Sequence, residues 1–180
     1  MPEPMQPLLF GKLPSHGDFV ARGLSHEEQR FWDDALAQSM AHAQARHGDD
    51  FAARFGAAAP WRCVVADGDV WLAGALALSM DKAGRLFPIL LACRLPGPAA
   101  GTAVAAACEA LLFDALASGW TADELHAHAG ALRVADSADD APAGWWLDGG
   151  DLLAAPPPRL AGLMPPDLVS EMLSVREGQA

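Results

Sequence analysis

The sequence predicts an α+β fold, an antiparallel sheet meander packed with helices, and three observations carry that prediction. An apolar stripe at helical spacing occupies residues 32–43, three apolar runs joined by turn residues follow between residues 61 and 95, and no strand-helix-strand unit repeats. Of 180 residues, 52% are hydrophobic and 19% charged, which suits a single domain over residues 1–180. Such a domain buries roughly 70% of the surface its unfolded chain exposes.

A leading strand comes first. Ser25 then stands three residues before Glu28, a capping box that satisfies free backbone N–H groups where a helix begins. Trp32, Leu36, Met40 and Ala43 recur at helical spacing while Arg30, Asp33, Asp34 and Gln44 take the other side, and Gly48 ends the helix. Phe51 and Phe55, one turn apart, mark a short second helix before Gly56 and Pro60 break the pattern. The runs 61–65 and 70–72 flank Asp67-Gly68, a dipeptide suited to a tight hairpin turn. The second run continues to Leu78, and a third strand, 86–95, returns after Asp81-Lys82-Ala83-Gly84. These strands are apolar on nearly every residue rather than alternately, which calls for cover on both faces of the sheet. Pro88 has no N–H for a ladder, so its strand is expected to be an edge there or to carry a bulge.

Val104, Cys108, Leu111, Leu112 and Leu116 form the stripe of the next helix, which Gly119 terminates in a left-handed conformation. The apolar run 99–117 contains Glu109 and Asp114 and is built on alanine, short of the hydrophobicity of a membrane span, so it reads as a core helix. Thr121 and Glu124 form a second capping box, Trp120 is placed to staple against Leu125, and this helix extends to about Leu132. Residues 136–143 make an acidic, Pro-bearing loop and 145–147 a short aromatic strand. Pro156-Pro157-Pro158 is a stiff spacer, and a closing helix spans 167–173 with Pro166 at its first turn.

The formal net charge of −11 repels phosphate backbones and anionic lipid, and the 12 basic residues are scattered, so no nucleic-acid partner and no membrane insertion are expected. The opening MPEPMQPLLFGKLP lacks the basic segment, apolar core and cleavage site of a secretory signal, which predicts a cytoplasmic location. Cys63, Cys93 and Cys108 have no paired spacing and read as reduced, buried thiols. Ser15, His16 and Asp18 supply the chemical types of a nucleophilic triad, but neighbouring side chains of an extended segment point to opposite sides. His126 and His128, two positions apart on a helix, diverge toward solvent, and His42 and His47 straddle a helix end with no cysteine nearby. Neither pair has metal-ligand spacing, no Gly-rich phosphate loop with its lysine occurs, and no cofactor is expected.

Two segments concentrate scarce basic residues in turns, residues 11–23 and residues 81–88. Loop tips of this kind gather Lys12, Arg22, Lys82 and Arg85 into a local positive patch, and the competing reading is that Arg85 and Asp18 merely tie neighbouring loops together. In Trp145-Trp146, strand alternation sends one ring into the core and the other toward the surface, where it would anchor an interface.

Phe10-Gly11-Lys12-Leu13-Pro14-x-x-Gly17-Asp18-Phe19-Val20, followed by Arg22 and Phe31-Trp32, resembles the opening of TagF (ImpM) proteins. Asp81-x-x-Gly84-Arg85-x-Phe87-Pro88 resembles that family's central turn, and Trp145-Trp146 its late aromatic strand. The chain departs from the pattern at Ala143-Gly144, where the family has a small polar and a further apolar residue, and in its polyproline segment. The resemblance implies the stand-alone form without a phosphatase domain: a non-enzymatic, post-translational negative regulator of type VI secretion. It further implies that the protein binds and sequesters the forkhead-associated (Fha) scaffold protein, and that it has an α/β/α sandwich similar to longin or profilin-like domains. Lys12, Asp18, Arg22, Lys82, Arg85, Trp145 and Trp146 then contact the partner or brace the loops that do. The alternative is a small-ligand sensor, in which a cavity between sheet and helices controls an exposed surface.

Overall fold

The structure is a computed structural model that describes residues 4–135 and 143–175. Its strands are β1 (Gln6–Gly11), β2 (Val20–Arg22), β3 (Trp61–Asp67), β4 (Val70–Met80), β5 (Leu86–Leu95) and β6 (Gly144–Trp146). Its α-helices are α1 (His26–His47), α2 (Phe51–Ala57), α3 (Gly101–Ser118), α4 (Ala122–Gly130) and α5 (Leu168–Ser174). The strands form one sheet in the order β2-β1-β5-β4-β3-β6, with every neighbouring pair antiparallel. The predicted meander is its centre. The chain's first strand crosses back to lie beside β5, pairing Leu9 with Leu91.

Alternation along the strands divides the core in two. Leu8, Phe10, Val65, Leu72, Leu76 and Leu90 pack with Trp32 and Leu36 of α1, Phe55 of α2 and Met172 of α5. Leu9, Val64, Ala75, Ile89, Leu91 and Cys93 pack instead with Val104 and Leu112 of α3 and Leu125 of α4. Helices cover both faces, which accounts for strands that are apolar at nearly every position.

Local chemistry sets the helix limits. Glu28 N–H donates to Ser25 Oγ at 3.2 Å and Ser25 N–H to Glu28 Oε2 at 2.7 Å, and Thr121 and Glu124 repeat the box at 3.3 and 2.7 Å. Gly119 closes α3 at φ 67° and ψ 37°. Several boundaries differ from expectation. The β3–β4 loop is Gly68-Asp69, one residue later than Asp67-Gly68, because the positive φ of 59° that its first position needs falls on Gly68. The segment 20–22, read as loop, pairs with β1 as an edge strand. α4 stops at Gly130, and the ring of Trp120 stacks on His128 with centroids 4.3 Å apart. Pro88 lies in a strand flanked on both sides, opposite Leu78 of β4, and its carbonyl accepts from Lys12 N–H at 3.2 Å where the chain leaves β1. The expected edge is therefore not found, and the absent N–H instead costs only the reciprocal bond at the end of the β1–β5 ladder. The acidic loop expected at 136–143 lies, apart from Ala143, outside the described residues.

The helix α3 is a core helix on one side only. Val104, Ala105, Cys108, Leu112 and Ala115 are buried and Leu111 and Leu116 half-buried, but Phe113 is 54% exposed. All three cysteines are free and buried, and burial pushes the Cys63 thiol up to about 12.

Candidate functional site

The two basic turn segments meet at one carboxylate. Asp81 follows β4, and its Oδ1 accepts hydrogen bonds from the backbone N–H groups of Ala83 at 2.9 Å and Arg85 at 3.0 Å. This is an Asx-type turn, in which an aspartate substitutes for backbone acceptors that a tight reversal lacks. Gly84, at φ 82°, lets the chain close so that Gly84 N–H reaches Asp81 O and Asp81 N–H reaches Arg85 O. The second oxygen, Oδ2, takes Arg85 Nε at 2.7 Å and Lys12 Nζ at 3.0 Å. Lys12 and Asp81 are both buried. A buried ammonium needs a counter-charge, and this one has it. Burial alone would push the Asp81 carboxyl up. Its hydrogen bonds from Arg85, Lys12 and Ala83 outweigh that effect and hold it well below the usual carboxylate range.

From this hub the second segment grips the first. Arg85 donates from its second terminal nitrogen to Gly17 O at 2.7 Å, and Lys82 N–H donates to His16 O at 2.8 Å. The first segment is also fastened to the α3–α4 junction, by Ser15 Oγ donating to Trp120 O at 2.7 Å and Ala122 N–H donating to His16 Nε2 at 3.0 Å. Phe19 covers the hub: Lys12 Nζ lies 5.0 Å from its ring centroid, Phe10 stacks at 5.9 Å and Phe87 meets it edge-on at 4.9 Å. Even so, 43% of Phe19 faces solvent.

The predicted residues separate into distinct roles. Lys12, Lys82 and Arg85 share this tip, with Lys12 inside it and the Lys82 and Arg85 side chains outside. Arg22 does not join them. Its Nε pairs with Asp123 Oδ1 on α4 at 2.7 Å, which binds the edge strand to the helix. Asp18 accepts only the neighbouring Phe19 N–H at 2.8 Å among its described contacts, so it shapes its own loop instead of tying to Arg85. Ser15, His16 and Asp18 therefore bond in three different directions. Trp145 is fully buried, and its Nε1–H is shared between Gly162 O and Leu163 O at 3.2 Å each. Trp146 is half-buried beneath the Arg159 guanidinium, 4.5 Å from the ring centroid. His126 is not solvent-facing as read from its spacing, because its Nε2 bonds to Pro7 O at 3.1 Å and helps seat α4 on β1.

Sequence reasoning passed over the hub itself and the aromatic above it. Asp81 ahead of a Gly-closed turn is the one signal that pointed to it. Elsewhere, an open groove of about 420 Å³ runs beside Trp146, Asp148, Asp151, Pro157 and Arg159, along the β6 edge of the sheet.

Residues 9–132 match the family model of the TagF N-terminal domain, Type VI secretion system-associated. The tryptophan pair lies beyond the matched stretch. Comparison with curated proteins found no match. Among solved structures, the crystal structure of PA0076 from Pseudomonas aeruginosa PAO1 superposes with a TM-score of 0.72 over 97% of each chain at 24% identity, a likeness of fold. The matched stretch runs from β1 through α4 and contains both segments that meet at Asp81, and the chain belongs to the TagF N-terminal family of type VI secretion system-associated proteins.

Proposed function

We propose that this chain is a cytoplasmic, non-catalytic negative regulator of type VI secretion that binds and sequesters the forkhead-associated (Fha) scaffold protein through the tip built on Asp81. The observation that supports this most directly is the way two distant turn segments are locked to one buried carboxylate while Phe19, Lys82 and Arg85 remain accessible. A tip fixed in advance loses little conformational freedom on binding, so its contact energy is not spent on ordering loops. An exposed aromatic beside two cations is an interface anchor. On a chain of net charge −11 it is also a local attractor for an acidic patch on the partner. A scaffold held here is unavailable to the membrane assembly, and no bond is made or broken.

Two surface variants, Lys82→Glu and Phe19→Ser, separate contact from bracing. Each should weaken co-purification with the scaffold by about tenfold or more. Lys82→Glu should leave the melting temperature near wild type, whereas Phe19→Ser, which also loses its ring contacts with Phe10, Phe87 and Lys12, should lower it by a few degrees. Unchanged capture by both variants would sink the proposal. The small-ligand reading, expected in a cavity between sheet and helices, has its best support instead in the open groove at the sheet edge beside Trp146, where Asp148 and Arg159 add polar groups to an aromatic wall. It predicts that Trp146→Ala, and not Lys82→Glu, alters regulation.

A further inference from the structure

A second surface lies on the opposite side of α3 from its core stripe. Ala103, Ala106, Ala110, Phe113 and Ala117 recur at alternating spacings of three and four residues, the seam pattern that a straight helix presents to a partner helix. All but the half-buried Ala106 are exposed, with Phe113 at 54%. A helix on the outer layer of a sandwich ordinarily turns charged residues to solvent. This one has a mean hydropathy of 1.4 with only 33% of its residues buried. Its two carboxylates do not relieve the exposure. Glu109 is drawn down to Arg62 at 2.6 Å, leaving Asp114 beside the seam.

Charge decides which occupant fits. No Lys or Arg occurs between Arg94 and Arg133. Glu109 and Asp123 are paired with Arg62 and Arg22 and Glu124 caps α4, which leaves Asp114 as the exposed charge beside the seam. An anionic membrane surface is repelled by such a face, since interfacial helices rely on Lys and Arg around their apolar side. A second copy would set Asp114 against a like-charged face on a chain that already carries −11. We infer that this face of α3 docks an amphipathic helix of another protein, with small or aliphatic residues along its seam and Lys or Arg on its flanks. The small alanines permit close approach of the two backbones, and Phe113 supplies the one bulky knob. The site is separate from the Asp81 tip and stands whether or not that tip binds the scaffold.

The test uses the full chain in its native bacterium, with Ala110 replaced by the photoreactive residue p-benzoylphenylalanine. Cross-linked peptides should come from a segment with a helical apolar seam and basic flanks. The synthetic peptide should then bind the purified protein in a salt-sensitive manner. Ala110→Glu and Phe113→Ser should each weaken it about tenfold with no change in melting temperature. Cross-links only to lipid or to a second copy, cross-links to segments without that pattern, or a peptide that binds both variants as well as wild type would overturn the inference. So would an absence of cross-links at position 110 when the substituted chain is expressed and folded at the wild-type level.

Discussion

Four hydrogen-bond donors converge on the Asp81 carboxylate, and that concentration gives the residue a measurable acid signature. The unfolded chain takes up this proton near the ordinary aspartate value of about 3.9. The folded protein takes it up only at much lower pH. The stabilisation is therefore complete above roughly pH 4 and lost as the pH falls toward the folded value. Asp81→Asn should lower the melting temperature at neutral pH, where it strands the buried Lys12 charge, and flatten the decline of stability between about pH 4 and pH 2. An unchanged acid slope would assign the decline to other carboxylates. Ala100 offers the opposite test, because it caps α3 in the left-handed region at φ 61°. Ala100→Gly relieves that strain and should stabilise the protein by about 1 kcal/mol in denaturant melts. At this scale the sequence was most readable where neighbours act on neighbours, as at Ser25 with Glu28 and Thr121 with Glu124. The Lys12–Asp81 pair was not readable, because its partners are far apart along the chain and meet only after β1 and β5 have paired.

Strand and helix packing turn on a few close approaches. Gly74 sits mid-strand in β4, where an added Cβ would lie 2.2 Å from Leu91 O and 2.6 Å from the Ala92 Cβ. Gly74→Ala should cost about 3 kcal/mol in chemical denaturation, well above the ~1 kcal/mol expected for removing the Ser25 cap of α1 as alanine. Equal losses for the two variants would show that the sheet relaxes more readily than this contact implies. The meander β3-β4-β5 was legible because hydrophobic runs and turn residues alternate along the sequence. β2 was not, since three residues punctuated by glycines carry no period of their own. The direction of the core stripe on α3 was legible as well, whereas its bare outer side was hidden by a composition that is apolar all round.

The sheet order places β5 and β4 at the centre of the molecule, each bonded on both edges and covered on both faces. Amides of these two strands should exchange with solvent only through global unfolding, while those near residues 150–158 exchange through local opening. Native-state hydrogen exchange followed across denaturant checks this, and a β5 that opened ahead of the rest would contradict it. Cover on both faces of the sheet followed from strands without polar alternation, but the crossing of β1 to the far side of β5 left no local trace in the chain. That crossing gives the Lys12–Asp81 bond a further meaning. Lys12 follows a strand that has no place to dock until residues up to Leu95 have been synthesised and folded. A nascent copy that has not yet folded β5 thus cannot assemble the surface centred on Asp81, and any binding proposed for that surface would be reserved for chains whose β1 and β5 have paired, a form of quality assurance written into the strand order.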